Sequence, residues 1–198
     1  MSSAPAPPPT RLAAFSYVAA PLLALVYGVL RIIDGLDGVM GPGVAWTVGH
    51  LAFMAALVLF AVMLRDMRRL LGDTPATVTY AAGIAGIGFA FAQFGIDVVV
   101  GFLADRHEDM GPLFDQVQAV PGVPLLVYQA GPVLFYAALL AFAVQLAVRR
   151  RVRPWMPLLV LGQVALPLIS LDLIPVGSIL AVVAFIPLAL RGRLIPVS

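Results

Sequence analysis

Six blocks of apolar residues, separated by short charged or Pro/Gly-rich connections, leave this chain few folds to choose from. The blocks cover residues 12–30, 44–64, 78–103, 124–148, 155–171 and 174–190. A helix rises about 1.5 Å per residue, so about 20 residues cross the hydrocarbon of a bilayer. The first four blocks reach that length. The last two are shorter and nearly continuous, interrupted only by Asp172 and Pro175. They form either a tight helical hairpin or one long broken re-entrant element, and the hairpin is the preferred reading.

Composition agrees with a bilayer environment. Of the 198 residues, 62% are hydrophobic and 11% charged, against about 45–50% and about 25% in soluble domains. Lipid offers no partners to backbone N–H and C=O groups, so spanning segments of this length must be helical. The expected fold is all-α: a polytopic membrane bundle of six transmembrane helices over residues 11–193. Residues 1–10 (MSSAPAPPPT) and 194–198 are expected to be tails, the first disordered because it is rich in Pro, Ala and Ser. The N-terminal stretch lacks the basic region of a signal peptide, and no A-x-A site follows, so the first span is expected to be retained.

The arginines set the expected orientation. With the N-terminus inside, Arg11, Arg65, Arg68, Arg69, Arg149, Arg150, Arg151, Arg153, Arg191 and Arg193 all fall on the inner side. Only Arg31 and Arg106 of the 12 cations fall outside. Eight of the ten acids lie at or near the outer face, the exceptions being Asp66 and Asp73. Cytoplasmic segments carry the excess of Lys and Arg, so both termini are expected in the cytoplasm, with the chain multi-pass in a plasma membrane of bacterial type.

Several chemistries drop out. Cysteine is absent, which removes disulfides, thiolate nucleophiles and thiolate metal sites. Lysine is also absent, so no Schiff base is available. There is no phosphate-binding loop, HExxH or nucleophile elbow. The pI of 9.4 reflects arginines beside apolar spans and not a nucleic-acid surface, since the net charge is only +2. A single histidine in a span, His50, leaves no bis-histidine haem site. No metal and no cofactor are expected. The mid-membrane small residues Ala82, Gly86 and Ala90 follow helical spacing and are expected to pack against another helix.

Polar residues within the spans are the functional signal, because they are costly in hydrocarbon. Asp97 lies six residues below the outer end of the third span, with Gln93 one turn further in. His50 enters at similar depth on the second span, flanked on its face by Trp46 and Phe53. The fourth span offers Tyr128 and Gln129. The first ends in Tyr27, Arg31 and Asp34, and the fifth carries Gln163 and then Asp172. These groups converge in the outer half. Bland readings stand beside this one: Asp97 pairing with Arg31, His50 as a packing histidine, Asp172 at a solvated helix end, and the glutamines as interhelical glue. The segment Asp105–Asp115 is expected to be a solvated connector, in which His107, Glu108 and Asp109 form at most a weak cation site.

Two functional classes follow. In the first, a partly desolvated Asp97 protonates an alkene or epoxide, and aromatic faces stabilise the carbocation. His50 or Asp172 then takes up the final proton. Arg31, Asp34, Trp46, Phe53, Gln93, Phe94, Tyr128, Gln129 and Gln163 would line the pocket. At this point the chain resembles the small integral membrane terpene cyclases of meroterpenoid and indole-terpenoid pathways. The likeness lies in a compact multi-span chain with acids on separate spans, here Asp97 and Asp172. It implies acid-initiated cyclisation of a prenylated, lipophilic substrate. The chain departs from that pattern in having no intramembrane glutamate, Glu108 lying in a connector, and fewer spans than the larger fungal members. In the second class the chain is a non-enzymatic carrier or accessory subunit, with Asp97 as a proton or ion-pair site. Either way the expected partners are a lipophilic small molecule and membrane lipid, with no nucleic acid and the oligomeric state open.

Overall fold

The computed structural model describes residues 8–191. Residues 1–7 of the expected N-terminal tail, Arg193 and the expected C-terminal tail lie outside the described residues. The chain is an all-helical bundle: α1 (Arg11–Asp34), α2 (Val44–Leu71), α3 (Thr74–Leu103), α4 (His107–Gln118), α5 (Gly131–Val148), α6 (Met156–Ile169) and α7 (Ile174–Ala189). A π-helical stretch, Pro124–Ala130, leads into α5, and a single 3-10 turn, Leu171–Leu173, joins α6 to α7. Counting these extensions, five helices are long and apolar enough to cross a membrane, and α6 is a shorter apolar helix.

Local chemistry fixes the ends. Thr10 Oγ1 accepts from the Ala13 N–H at 3.1 Å and starts α1. α2 ends on Gly72, whose φ of 69° is left-handed, a position glycine reaches without steric cost. Asp73 follows at once and caps α3, its Oδ1 accepting from the Ala76 N–H at 2.9 Å. The connection between α2 and α3 is therefore two residues, and Arg65, Arg68 and Arg69 lie on the last turns of α2.

Packing closes a ring. α1 lies against α2 and α7, α3 against α2 and α5, and α6 against α5 and α7. Each of these six helices has two neighbours in the circuit α1–α2–α3–α5–α6–α7. α6 and α7 lie side by side as a helical hairpin joined by the 3-10 turn. Side chains of helices not adjacent in the ring fill the middle: Phe60 of α2 and Phe135 of α5 meet edge to face at 5.1 Å. Tyr17, Phe142 and Phe185 are fully buried in the same core. Outward positions such as Val58, Val78, Val133 and Leu168 are exposed although apolar, which is the surface lipid requires and water does not.

The small-residue stripe of α3 packs as expected. A Cβ on Gly86 would lie 2.4 Å from the Phe135 backbone nitrogen, so the two backbones cross there in near contact.

One expectation is corrected. Asp105–Asp115 is not a solvated connector, because most of it belongs to α4, a 12-residue amphipathic helix. Glu108 and Asp109 sit in its first turn, where they favour helix initiation, and the Arg106 N–H donates to Asp109 Oδ2 at 3.1 Å. Its apolar face buries Met110 with Val100 and Ala104 of the α3 end, and Trp46, Leu113 and Phe114 pack around them.

Candidate functional site

The site lies at the end of the bundle opposite the arginine-rich end, where α1, α2, α3 and α4 meet. His50 and Asp97 face each other across α2 and α3, with 3.6 Å between His50 Nε2 and Asp97 Oδ2. Both are buried, at 5% and 9% exposure. The other imidazole nitrogen, Nδ1, donates to the Trp46 carbonyl at 2.7 Å. With Nδ1 committed as a donor to that carbonyl, Nε2 is the nitrogen turned toward the Asp97 carboxylate.

Aromatic rings enclose this pair. Trp46 lies 4.1 Å from the His50 ring, Phe94 5.2 Å and Tyr27 5.5 Å. Phe53 stacks on Phe94 at 4.4 Å beneath them. Trp46 is locked in turn by its indole Nε1, which donates to the Asp97 carbonyl at 2.9 Å. Two glycines make room for the indole. A Cβ on Gly101 of α3, or on Gly41 of the α1–α2 loop, would come within 2.8 Å of the ring. The sequence places Trp46, His50 and Phe53 on one face of α2; the structure keeps them together.

Arg31 and Asp34 stand above the pair. The bland alternative, an ion pair between Asp97 and Arg31, is not formed: Asp97 faces His50, because α2 lies between α1 and α3 in the ring. Arg31 instead donates from Nη1 to Met40 Sδ at 2.9 Å, and its Nε is buried with no hydrogen-bond partner. Asp34 Oδ2 accepts from the Gly41 N–H at 2.8 Å and holds the loop. A void of about 10 Å³, lined by Tyr27, Arg31, Asp34, Met40, Trp46 and His50 among others, opens here. That is room for about one water. Above it, Arg31, Met40 and Trp46 also line an open groove of about 500 Å³, whose far wall is His107, Glu108, Met110, Gly111 and Phe114 from α4. The His107 Nδ1 donates to the Met40 carbonyl at 2.6 Å and ties α4 over the α1–α2 loop.

The remaining candidates go elsewhere. The single cavity expected from residues of five spans is replaced by separate small voids. Gln163 is buried in a second void of about 20 Å³ with Tyr136 and Ser178. Its Oε1 has no partner, and neither does Oε1 of the half-buried Gln93 nor the hydroxyl of Tyr128. Gln129 is exposed on the outside of the bundle, within the π-helical stretch. Asp172 is exposed in the 3-10 turn, where its N–H donates to Ser170 Oγ at 3.2 Å. That is the solvated helix end, and it takes Asp172 out of the enclosed aromatic site. The weak cation site also dissolves: Glu108 and Asp109 pair with Arg106 at 2.7 and 3.8 Å while His107 binds Met40. Among the described residues no three metal-ligating side chains converge.

Sequence reasoning missed two features. Met40, in a loop of unremarkable composition, supplies part of both the void and the groove. At the opposite end, Asp66 is buried, accepting from the Tyr17 hydroxyl at 2.8 Å and from Arg191 Nη2 at 2.5 Å. Helical spacing with the core residues Met63 and Leu70 marks Asp66 as inward-facing, a signal hidden by counting it only as an inner-side charge.

No family model, curated protein or solved structure matches the chain.

Proposed function

We propose that the chain crosses a bacterial-type plasma membrane six times, with both termini cytoplasmic, and acts as a non-enzymatic carrier or accessory protein. Its cargo would be a small lipophilic molecule held at the outer end. The closed ring of six helices, including the short α6, supports the six-span count, and the arginine distribution supports the orientation.

Arg31 carries the functional reading. It is a half-buried cation with an orphaned Nε, no carboxylate partner, and a place in the wall between the enclosed aromatic site and the groove. Buried polar groups without partners are rare in native structures, and a cation beside hydrocarbon marks a binding site by default. The groove around it is otherwise mainly apolar, so it suits a lipophilic body with one carboxylate or carbonyl presented to the guanidinium. Trp46, held by the Asp97 carbonyl and packed against His50, forms part of the groove wall.

The cyclase reading asks more of this geometry. Acid-initiated cyclisation at Asp97 needs a chamber for an isoprenoid chain, and small-molecule pockets run to roughly 300–1,000 Å³. The void beside His50 has room for about one water, so the carrier reading has the better support.

The test is mass spectrometry of lipophilic species copurifying with wild type and with Arg31→Gln. A non-phospholipid species retained by wild type and lost from the variant is expected. Equal retention by both proteins would remove Arg31 from recognition, and cyclised product from a supplied prenylated substrate would restore the enzyme reading.

A further inference from the structure

The opposite end of the bundle carries a second groove. It opens between the end of α2, the α5–α6 connection and the end of α7, with a volume of about 320 Å³. Arg150, Arg151, Arg153 and Arg191 line it, with Leu70 and Val152 among its apolar walls. Arg191 already serves Asp66, and the nearby Asp73 serves Arg149 at 2.5 Å. Among the described residues, Arg150, Arg151 and Arg153 have no carboxylate partner. Topology alone asks only that cations sit on this side; it does not ask that three unpaired guanidinium groups share one cleft, where they repel one another.

The backbone reinforces the clustering. α5 ends in a turn where the Arg150 N–H donates to the Ala147 carbonyl at 2.9 Å and the Arg151 N–H to the Leu146 carbonyl at 2.8 Å. This closure puts Arg150 at φ 55°, the left-handed position where glycine or asparagine is the usual residue. An arginine held there keeps three cations within four residues at the mouth of the groove.

We propose that this groove binds the phosphate of an anionic glycerophospholipid. A phosphate offers several acceptor oxygens to planar guanidinium forks. The groove sits where apolar helices end, at the level of a lipid headgroup, and its apolar walls continue toward the acyl region. Basic pockets between transmembrane helices suit such headgroups. The site rests on its own geometry and is independent of what occupies the Arg31 groove.

The test uses the full chain in mixed micelles, with bound lipid measured by native mass spectrometry against phosphatidylglycerol and phosphatidylcholine. Wild type is expected to retain phosphatidylglycerol preferentially. Each arginine near a headgroup contributes on the order of fivefold, so Arg151→Gln/Arg153→Gln should weaken retention by about thirtyfold. Arg65→Gln/Arg69→Gln removes the same charge from exposed positions at the same end outside the groove, and should leave retention unchanged. Val152→Glu keeps every arginine but supplies an internal carboxylate; it too should lose the lipid, and it decides the matter if the double glutamine variant misfolds. Equal losses in the two double variants would reduce the cluster to general surface charge and overturn the proposal. So would equal retention of both lipids by wild type. Displacement of phosphatidylglycerol by millimolar inorganic phosphate would make this a soluble-phosphate site and overturn the lipid assignment.

Discussion

His50 Nε2 and Asp97 Oδ2 stand 3.6 Å apart, and the Trp46 carbonyl fixes which imidazole nitrogen faces the carboxylate. Trp46 also binds the Asp97 backbone, so one indole sets both partners. The pair is a constrained polar contact between two helices. Asp97→Asn keeps a polar group of the same size facing His50 and should cost no more than about 0.6 kcal/mol, the typical worth of an interhelical hydrogen bond in a membrane. Asp97→Leu leaves Nε2 buried without a partner and should cost about 1–3 kcal/mol. Thermal melting in detergent compares the two, and equal melting temperatures would show that the pair does not stabilise the fold.

Topology gives the second prediction. Reporters fused at Leu70 and Arg151 should read as cytoplasmic, and reporters at Glu108 and Asp172 as external. A cytoplasmic reading at Asp172 would leave α6 and α7 as a re-entrant hairpin and reduce the span count below six.

Glycine spacing on α3 supplies a sharper contrast. Gly86→Ala pushes a methyl against the backbone of α5, with its Cβ 2.4 Å from the Phe135 nitrogen. The helices must separate, so a loss of about 1–3 kcal/mol or more is expected from overpacking. Gly88→Ala, two positions along, adds a Cβ with nothing within 4 Å and should be neutral or slightly stabilising through helix propensity. Melting temperatures of the two variants check this, and equal tolerance would mean that α3 and α5 do not cross in near contact.

A fourth prediction concerns the buried carboxylate at the arginine-rich end. Tyr17→Phe removes one neutral donor from Asp66 and should cost about 1 kcal/mol. Asp66→Leu takes the carboxylate away from both Tyr17 and Arg191, and breaking a buried charge pair typically costs about 3–5 kcal/mol. Chemical or thermal unfolding in detergent should rank Asp66→Leu well below Tyr17→Phe. The reverse order would make the tyrosine and not the carboxylate the centre of the network.

The sequence by itself determined the class of fold. Blocks of apolar residues dictate helices in lipid, because the backbone has no other partner there. The turn at Gly72 and Asp73 is also local chemistry, since glycine and a capping aspartate act over three or four residues, but the apolar blocks, ending at 64 and resuming at 78, did not place it. Helical periodicity also put Trp46, His50 and Phe53 on one face, and gave Gly86 to a packing surface.

Only the tertiary structure decided which helices stand next to one another. Asp97 faces His50 and not Arg31 because α2 lies between α1 and α3 in the ring. Depth along a helix, which the sequence does give, says nothing about azimuth relative to a neighbour. The same limit misassigned Gln129, exposed within the π-helical stretch, and Asp172, left in an exposed turn. It also hid α4, whose acidic first turn reads as loop until its apolar face finds Val100 and Ala104. Residue types fix what each side chain can do, but the meeting of Arg31, Met40 and Trp46 around one groove depends on contacts between segments far apart in the chain.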